Sequence, residues 1–455
     1  MQDSYQNLIL PDLKQMLAEK DELGLAEFCD VLHPGVIAGL LSQMPATETW
    51  DVLRQATLER RAEIFEFLSL PDQIDIAATL DRAALTTLLE EMAPDDRVDL
   101  LSRMSAERVN NLLPLIAQAE RNDIRKLLSY PEDTAGAIMT SEYASLPANI
   151  TVSEAIDQLR QQAPDSETIY YVYILGENRH LNGFVSLRDL ILAPPTAVLT
   201  DIVRRDVISV RALEDQETAV QKLARYDFIA MPVVDQDGNL VGIITHDDAI
   251  DVVQEEATED AHRQGAIEPL EDGYLDTPLR ILAWKRGVWL MLLAIVALMT
   301  AAVIEHYEQG HSDNARLKFL IAFLPLVLAS GGNAGSQSAT LVIRTLALGQ
   351  LTKNATLPMA RRELWLGLAL GLSVSFVGYV AAHYVFGHDV SSALVVSLTV
   401  LLVVMLGTIA GALLPVFLKR VGMDPALMSN PLIAAIVDVV GVVIYYRVAL
   451  WLLAA

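Results

Sequence analysis

Hydrophobic residues in the first part of the chain fall into short amphipathic helical runs. Within residues 7–130, three runs begin at Pro45, Pro71 and Pro94, and proline is favoured in the first turn of a helix. The starts are 26 and then 23 residues apart, a loose repeat that predicts stacked helix pairs in a small superhelical bundle. We expect its core to include these apolar residues: Val98, Leu100, Leu101, Val109, Leu112 and Leu113.

Beyond this bundle, apolar β-type runs alternate with helical runs, and the pattern occurs twice. The segment around Ala155 matches that around Ala219, and the segment around Gly183 matches that around Gly242. Each copy predicts a helix, a strand, a turn, a second strand and a second helix. The repeat resembles a tandem CBS-domain pair over residues 137–254.

An acidic connector follows the repeat. Residues 249–264 continue the last predicted helix and place Asp251, Glu255 and Glu259 at i, i+4 and i+8. Each like-charged pair at this spacing costs a helix about 0.2 to 0.5 kcal/mol. The connector then leads into the apolar part of the chain.

The apolar part predicts five membrane-spanning helices. Each of two stretches without a charged residue, 319–343 and 390–418, exceeds the roughly 20 residues that cross a bilayer. The five spans are predicted at about residues 283–306, 316–347, 363–386, 390–418 and 430–454.

The predicted protein is therefore multidomain. It combines an all-α N-terminal superhelical domain, an α/β tandem CBS pair and an α-helical five-span transmembrane domain. The domains are predicted at residues 7–133 (N-terminal helical), 137–200 and 201–254 (the CBS repeats), 255–280 (connecting helix) and 281–455 (transmembrane).

Charge is segregated between the soluble and apolar parts. Of the 58 acidic residues, 51 lie in residues 1–280, which carry a net charge of −29, whereas the remainder carries +4. Such a charge argues against nucleic acid and anionic lipid as partners of the soluble part and favours cations. The single cysteine, Cys29, excludes an intramolecular disulfide.

Basic residues also predict the orientation in the membrane. The N-terminus shows no cleavable signal, so we expect the soluble part to be cytoplasmic and the C-terminus to lie outside. With this orientation, only Arg316 and Lys318 lie near the outer face. The basic residues on the inner side are Lys285, Arg286, Arg344, Lys353, Arg361, Arg362, Lys419 and Arg420.

Asp438 is an acid well inside the fifth predicted span. An ionised carboxylate at the bilayer centre costs about 2.5 to 3.5 kcal/mol, so such a residue usually faces a water-filled path or a charged partner. Arg447 lies nine residues away on the same helix, which is roughly 13 Å and too far for direct pairing. An ion site is therefore favoured over a structural ion pair with another helix.

The second predicted span is unusually polar. After Pro325 it reads LVLASGGNAGSQSAT, which contains Asn333 and Gln337. Small residues allow helices to approach closely, and the amides could hydrogen-bond across helices or line a wet cavity, two interpretations that remain open here. The spacings Gly367 to Gly371 and Gly407 to Gly411 predict packing seams.

Three motifs together resemble the MgtE family of magnesium channels and transporters. They are PLVLASGGNAGSQSAT at residues 325–340, GALLP at 411–415 and GMDPALMSNPLIAAIVD at 422–438. In the soluble part, SYPEDTAGAIMT and EEATEDAHRQGA agree in the same domain order. The resemblance implies a homodimer in a bacterial cytoplasmic (inner) membrane whose ten spans enclose a Mg²⁺ path, with Asp438 of each copy as the ion site.

The resemblance also implies further Mg²⁺ ligands. Asn333, Glu308 and Asp424 are expected at the path or its entrances. Acids of the soluble part are expected to sense Mg²⁺, so that repulsion separates the domains at low Mg²⁺, while bound cations draw them together and press the connector against the pore. These acids are Asp95, Asp99, Asp215, Glu217, Asp227, Asp248, Asp251, Glu256, Glu259 and Asp260.

CBS pairs often bind adenine nucleotides, and the sequence contains a short motif of that kind. An Asp three residues after Ser or Thr contacts ribose in such sites, and Ser186 with Asp189 fits that spacing. Arg188 and Phe228 are the expected phosphate and base contacts for ATP. A helix-capping role for Ser186 fits the same residues.

Mg²⁺ uptake inhibited by internal Mg²⁺ is the leading hypothesis. A broader carrier of Mn²⁺, Co²⁺ or Ni²⁺, or an exporter, fits the same sequence. A nucleotide-sensing membrane regulator without transport is a second class. An intramembrane protease is disfavoured, because the sequence contains no HExxH motif.

Overall fold

The computed structural model describes residues 2–270, 273–275, 277–310, 319–349, 351 and 355–453. Three basic residues used above for orientation, Arg316, Lys318 and Lys353, lie outside the described residues. The chain forms two compact units, Met1–Val253 and Gln254–Ala455.

The first unit begins with ten short helices. Their starts follow the side-chain signals in the sequence, because Thr57, Ser69, Asp81 and Ser105 each cap a helix by accepting a backbone N–H bond. The helices are α1 (Gln2–Glu19), α2 (Glu22–Val31), α3 (Pro34–Leu41), α4 (Ala46–Leu53), α5 (Leu58–Glu66), α6 (Leu70–Thr79), α7 (Arg82–Glu91), α8 (Pro94–Ser102), α9 (Ala106–Leu112) and α10 (Gln118–Leu127).

The proline signals and most of the core of this bundle were predicted correctly. Helix α4 follows Pro45, α6 contains Pro71 in its first turn, and α8 begins at Pro94. Leu100, Leu101, Leu112 and Leu113 lie in the bundle core, and Val109 is half-buried against it. Val98 is also buried, but it packs with the core of the second α/β repeat rather than with that of the bundle.

Two small α/β repeats complete the first unit. The first repeat contains β1 (Tyr143–Leu146), α11 (Val152–Gln162), β2 (Thr168–Leu175), β3 (Leu181–Ser186) and α12 (Leu187–Leu192). The short helix α13 (Leu199–Ile202) follows. The second repeat contains β4 (Val210–Arg211), α14 (Gln216–Arg225), β5 (Ala230–Val234), β6 (Leu240–Thr245) and α15 (His246–Gln264), which runs on into the second unit.

Each repeat holds a three-stranded sheet, in the orders β1-β2-β3 and β4-β5-β6. The first two strands of each sheet are parallel and the last two are antiparallel. The sequence pattern missed β1 and β4, since strands of four and two residues are too short to show a clear alternation. The predicted helix–strand–strand–helix order is otherwise correct.

The matched glycines of the repeats have one physical cause. A Cβ added to Gly183 would lie 2.7 Å from the Arg204 carbonyl oxygen, and one added to Gly242 would lie 2.7 Å from the Thr140 carbonyl oxygen. In both copies a neighbouring segment of backbone passes against the second strand of the hairpin, so a side chain does not fit.

Five long helices form most of the second unit. They are α16 (Leu279–Gly310), α17 (Leu320–Ala347), α18 (Thr356–Val380), α19 (Val390–Val421) and α20 (Asn430–Leu453), and a π-helical turn, Ala381–Val385, extends α18. Four of them are long and apolar enough to cross a membrane. Helix α17 has 28 residues, but its polar run lowers its hydropathy. The five helices coincide with the predicted spans.

Helix α19 lies between α17 and α18, and glycines bring the backbones together. A Cβ on Gly407 would overlap the Gly331 carbonyl, and one on Gly411 would overlap the Gly335 carbonyl. On the other side, a Cβ on Gly367 would overlap the Thr408 hydroxyl of α19. Both predicted glycine spacings are therefore packing seams.

Candidate ion path and acidic clusters

The carboxylate of Asp438 lies on α20 beside the glycine-rich part of α17. A Cβ built on Gly332 would be 3.9 Å from Asp438 Oδ1, and the Asp438 side chain is half-buried. Among the described residues, no basic side chain forms an ion pair with Asp438 and no donor forms a hydrogen bond with it. The alternative of a structural ion pair therefore finds no support in this part of the chain.

The polar run of α17 has two different faces. Gly331, Ala334 and Gly335 are buried, whereas Asn333 and Gln337 are exposed. Thr340, at the next helical position, is also exposed. Polar side chains thus cover the exposed face of an otherwise apolar helix, and the run includes Gly332, which lies beside Asp438.

Helix α20 contributes a further polar group that the sequence analysis did not single out. Thr340 Oγ1 donates to Asn430 Oδ1 (3.3 Å), and Ser336 Oγ donates to the Asn430 carbonyl oxygen (3.2 Å). These bonds join α17 to the start of α20. The position of Asn430 directly before Pro431 is typical of a helix start, so no sequence signal marked it as functional.

Glu308 is exposed on the last turn of α16. Its neighbour Tyr307 stacks on Tyr446 of α20, with ring centroids 4.8 Å apart. Tyr446 is eight residues from Asp438, or about 12 Å along the helix. Glu308 and Asp438 therefore belong to different levels of the bundle.

Six carboxylates of the first unit lie close together, and we call them the acidic cluster: Glu66, Asp95, Asp96, Glu167, Asp247 and Asp248. Five of them have a raised pKa, and the charge of Asp247 contributes to the raised pKa of Glu167 and Asp248. Burial is the main cause of the raised values. It raises the pKa of Asp96 to about 8 and that of Glu66 to about 7. The Oδ1 atom of Asp95 is enclosed without a hydrogen-bond partner, and the pKa of Asp95 lies well above its ordinary value.

The sequence identified only part of this cluster. Asp95 and Asp248 were predicted, and the predicted acids Asp99 and Asp251 lie at its margin, near enough to act on Asp96 and Asp248. Glu66 was missed, although its Oε1 accepts the Ala93 N–H (2.7 Å) and so joins α5 to the start of α8. Glu167 was missed as well, and neither glutamate carries a local signal.

The acidic cluster is a concentration of negative charge rather than an assembled coordination sphere. Across the described residues, no three His, Cys, Asp or Glu side chains converge in a geometry that holds a metal ion. Thr245 donates its hydroxyl to Asp248, which orients that carboxylate. Bound cations would have to neutralise the cluster through water or after a small rearrangement.

Three further predicted ligands lie on or beside α14. Asp215 caps this helix by accepting the Thr218 N–H (3.0 Å), and Glu217 accepts from Gln221 (3.1 Å). Asp227 follows the other end of the helix and has φ +52°. Because the ten residues of α14 span about 15 Å, the structure does not bring Asp215 and Asp227 together.

A second group of acids surrounds the end of α15, and we call it the connector cluster: Glu256, Glu259, Asp260 and Asp424. Arg263 forms ion pairs with both Glu259 and Asp424. Burial, followed by the charges of Asp424 and Glu256, raises the pKa of Asp260 to about 6. Arg263 was not predicted, because its partner Asp424 is 161 residues away in the sequence.

The candidate nucleotide site lies in the first CBS repeat and beside the second. Ser186 Oγ accepts the Asp189 N–H (3.1 Å) and so caps α12, and Asp189 pairs with Arg204 (3.0 Å). Ser186 pairs with Tyr171 across β2 and β3, and the Tyr171 ring packs edge-on against Phe228 (6.2 Å).

An aromatic hollow thus opens beside the capped turn. It is lined by Tyr171, Tyr173, Phe184, Val207, Ile208 and Phe228. Arg188 is exposed on the same turn as Asp189. The capping role of Ser186 is confirmed. The hollow has a volume of only about 10 Å³, so these rings would have to move apart before a base could stack beside Phe228.

Known protein families match nearly the whole chain. A family described as a divalent cation transporter matches residues 324–448, the MgtE intracellular N domain matches 32–133, and CBS domains match 135–195 and 199–255. The magnesium transporter MgtE of Thermus thermophilus is 37% identical over 446 residues, which cover 97% of this chain and 98% of that protein. This chain belongs to the MgtE family. The magnesium transporter MgtE of Bacillus subtilis is 32% identical, with 92% of each chain covered.

Two solved structures of magnesium-transport proteins resemble about half of the chain. The soluble part of a magnesium transporter superposes with a TM-score of 0.53 at 34% identity, covering 55% of this chain and 99% of that one. The cytosolic domain of the Mg²⁺ channel MgtE in complex with ATP gives 0.51 at 36% identity, covering 53% and 99%. The resemblance and the fold class inferred from the sequence are confirmed, and the apolar helices of this MgtE-family chain make it a multi-pass membrane protein.

Proposed function

We propose that this chain is a Mg²⁺ transporter that works as a homodimer, with an ion path lined by α17 and α20 of each copy and with Asp438 as the ion site. The observation that carries the proposal is an unpaired carboxylate inside an apolar helix, beside the exposed polar face of α17. Such a group requires water or a cation as its partner. The proposal assigns the chain no enzymatic reaction.

The chemistry of Mg²⁺ fits a single carboxylate from each copy. Mg²⁺ demands octahedral oxygen and loses water reluctantly, so one Asp438 per chain would hold a largely hydrated ion through its water shell. The amides of Asn333 and Gln337 are suitable second-layer partners for bound water. A few water-mediated contacts would also let the ion leave again.

The homodimer follows from the exposed polar face. Asn333, Gln337 and Thr340 are exposed in one copy of the chain, and amides and hydroxyls are poorly placed against lipid. A second copy facing this surface across a water-filled path would remove that conflict. We place the dimer in a bacterial cytoplasmic membrane, with the N-terminus cytoplasmic and the C-terminus outside.

Internal Mg²⁺ would regulate transport through the two groups of acids. The acidic cluster holds half-buried and exposed carboxylates that repel one another when ionised, so a divalent cation that neutralises them would stabilise the compact form of the N-terminal and CBS domains. Helix α15 runs without a break from the CBS pair into the connector cluster. Compaction would therefore act on the connector that leads into the membrane helices.

The remaining predicted ligands stay part of this proposal. Asp99 and Asp251 would join Mg²⁺ bound at the margin of the acidic cluster, and Glu308 would attract cations at the outer end of α16. Asp215, Glu217 and Asp227 would act at the ends of α14. ATP would bind in the aromatic hollow, with its base beside Phe228, its ribose on Asp189 and its phosphates near Arg188.

The proposal is tested by ion flux into liposomes that contain the purified full chain. Asp438→Asn should reduce Mg²⁺ flux at least 100-fold, while the matched variant Asp389→Asn should retain it, because Asp389 only caps α19 and asparagine caps equally well. Equal flux in both variants would exclude Asp438 as the ion site. Absence of Mg²⁺ flux in the unmodified chain would favour the regulator without transport.

The same vesicles distinguish Mg²⁺ uptake from its alternatives. Mn²⁺, Co²⁺ and Ni²⁺ added in turn at equal concentration should enter more slowly than Mg²⁺. Comparable rates would indicate the broader divalent carrier. Mg²⁺ flux that occurs only in the export direction of the protein, whichever way the Mg²⁺ gradient is imposed, would indicate an exporter.

A further inference from the structure

Glu363 is a second acid on the apolar helices, and it is not one of the groups of the proposed ion path. It lies on α18, seven residues after the helix start at Thr356, which is about 10 Å along the axis. Its Oε2 atom accepts a hydrogen bond from Ser338 Oγ of α17 (2.7 Å). In the part of the chain that the structure describes, no basic side chain forms an ion pair with Glu363.

Glu363 joins three helices. Ser338 of α17, which is only 4% exposed, donates to its side chain. Thr408 of α19 donates to its main-chain carbonyl oxygen (3.4 Å) as well as to that of Met405 (3.0 Å). Close packing of α18 against α19 does not itself require a carboxylate, because Gly367 and Gly371 already allow the two backbones to approach.

The contact between α17 and α19 combines close glycine backbones with apolar side chains. Gly407 and Gly411 lie against the backbones of Gly331 and Gly335, and Val403 packs beside Gly331. Hydrogen bonds of α17 to its neighbours add a directional constraint on its rotation, because their strength depends on geometry. On one side these are the bonds of Ser336 and Thr340 to Asn430, and on the other side the bond of Ser338 to Glu363.

Small rotations of α17 would displace the groups at the ion path. A side chain lies about 5 to 6 Å from the helix axis, so a rotation of about 20° moves its polar end by about 2 Å. Contacts to a hydrated Mg²⁺ depend on water geometry and would not survive such a shift unchanged. Asn333 and Gln337 both lie on the exposed face of this helix.

We propose that Glu363 is a positioning residue for the ion path: by accepting the Ser338 hydrogen bond, it fixes the rotation of α17 that presents Asn333 and Gln337. This inference rests on the proposed path between α17 and α20. It makes Glu363 an acceptor for a neighbouring hydroxyl and not a ligand of the transported ion.

The test compares four variants of the full chain in liposomes. Ser338→Ala and Glu363→Leu remove the bond and should each lower Mg²⁺ flux about 5- to 10-fold, with a loss of preference for Mg²⁺ over Co²⁺. Glu363→Gln keeps a side-chain carbonyl acceptor and should stay within twofold of the unmodified chain. Ser330→Ala is the matched control, because Ser330 donates only to Leu326 of its own helix (2.6 Å).

The double variant Ser338→Ala/Glu363→Leu should be no slower than the slower single variant, since both remove one interaction. Additive losses would overturn the proposal. So would normal flux in Ser338→Ala, or equal losses in Glu363→Gln and Glu363→Leu, which would indicate a role for the charge.

A second measurement reads helix rotation without relying on transport. A cysteine at Gln337, in a chain whose own Cys29 is buried, can be labelled with a water-soluble thiol reagent. The labelling rate should fall several-fold in the Ser338→Ala background and remain unchanged in the Ser330→Ala background. Equal rates in both backgrounds, in protein that elutes and melts like the unmodified chain, would overturn the proposal.

This readout also separates the two hypotheses. If the unmodified chain moved no Mg²⁺, the proposed function would fail while the labelling rates still tested the role of Glu363. If Mg²⁺ flux depended on Asp438 but the labelling rates did not depend on Ser338, only the present inference would fail.

Discussion

The acidic cluster and Asp438 are both proposed cation sites, but their surroundings are opposite. The acidic cluster brings six carboxylates of the first unit together, and burial and neighbouring charges raise the pKa of Asp95, Asp96 and Glu66. Asp438 stands without a partner among the described residues, beside backbone glycines. On the proposed function, a divalent cation would stabilise the crowded acids by offsetting their repulsion, whereas the single carboxylate of Asp438 would hold a hydrated ion weakly enough to release it.

The largest expected effect separates transport from sensing. Asp438→Asn should abolish Mg²⁺ flux yet leave the expected Mg²⁺-induced rise in melting temperature of the first unit unchanged, because on the proposed function the two regions bind cations independently. Calorimetry of the purified full chain, with and without Mg²⁺, provides the second measurement. A lost thermal response in this variant would mean that the regions do not act separately.

The next effect concerns the repulsion within the acidic cluster. Asp248→Asn removes one charge from the acidic cluster, so less repulsion remains for Mg²⁺ to offset. Without Mg²⁺ the cytosolic part should gain about 1 kcal/mol, which raises its melting temperature by about 2 to 4 °C. Its additional stabilisation by Mg²⁺ should be smaller than in the unmodified chain.

Asp75→Asn is the control for this variant. Asp75 is exposed on α6 and lies outside the acidic cluster, so this change should leave both melting temperatures within about 1 °C. An equal gain in the two variants would indicate a general effect of net charge rather than relief of local repulsion.

Stability should also depend on pH in a defined direction. Asp96 and Glu66 keep their protons in the folded state up to about pH 8 and 7, whereas the unfolded chain releases them near pH 4. Their stabilising contribution is therefore complete at low pH and is lost as pH rises through 7 to 8. In EDTA, the temperature of the first melting transition should decrease as the pH is raised from 6 to 8.5, and Mg²⁺ should make this decrease smaller. A melting temperature that increased with pH would contradict the burial of these carboxylates.

The smallest expected effect concerns Arg263. Its pairs with Glu259 and Asp424 hold the end of α15 to the turn before α20, so Arg263→Gln should free the connector. Proteolysis between residues 265 and 275 should become about 2- to 5-fold faster in EDTA, with a smaller change in Mg²⁺. The magnitude corresponds to about 0.5 to 1 kcal/mol, which is typical of a partly exposed pair.

A surface ion pair provides the control for Arg263. Arg160 and Asp157 form an exposed pair (2.7 Å) on α11, so Arg160→Gln should leave the proteolysis rate of the connector unchanged. If both variants accelerated cleavage equally, the Arg263 contacts would not be what restrains the connector.

Much of the fold could be predicted because its signals are local. Proline and capping residues mark the starts of the N-terminal helices, and the apolar runs mark the five long helices of the second unit. The glycine seams were also predictable, since GxxxG spacing places small residues on one face. The strands β1 and β4 were not predicted, because four and two residues are too few to show an alternation of apolar and polar positions.

The candidate sites divide in the same way. Asp438 was identifiable from the sequence, because an acid in an apolar span conflicts with its surroundings wherever the helix packs. The sensing role of the predicted acids stays a prediction. Glu167, Arg263 and Glu363 could not be identified, since their roles depend on partners in distant segments.

The sequence by itself determined which segments are helices and which of them are apolar enough for a membrane. It also identified Asp438 as an acid within an apolar span. These properties depend on spacing and transfer free energy along a few turns of chain. Only the tertiary structure decided that Glu66 and Glu167 join Asp95 and that Ser338 donates to Glu363. Burial and hydrogen bonding are set by the neighbours that packing provides, and a linear pattern does not contain them.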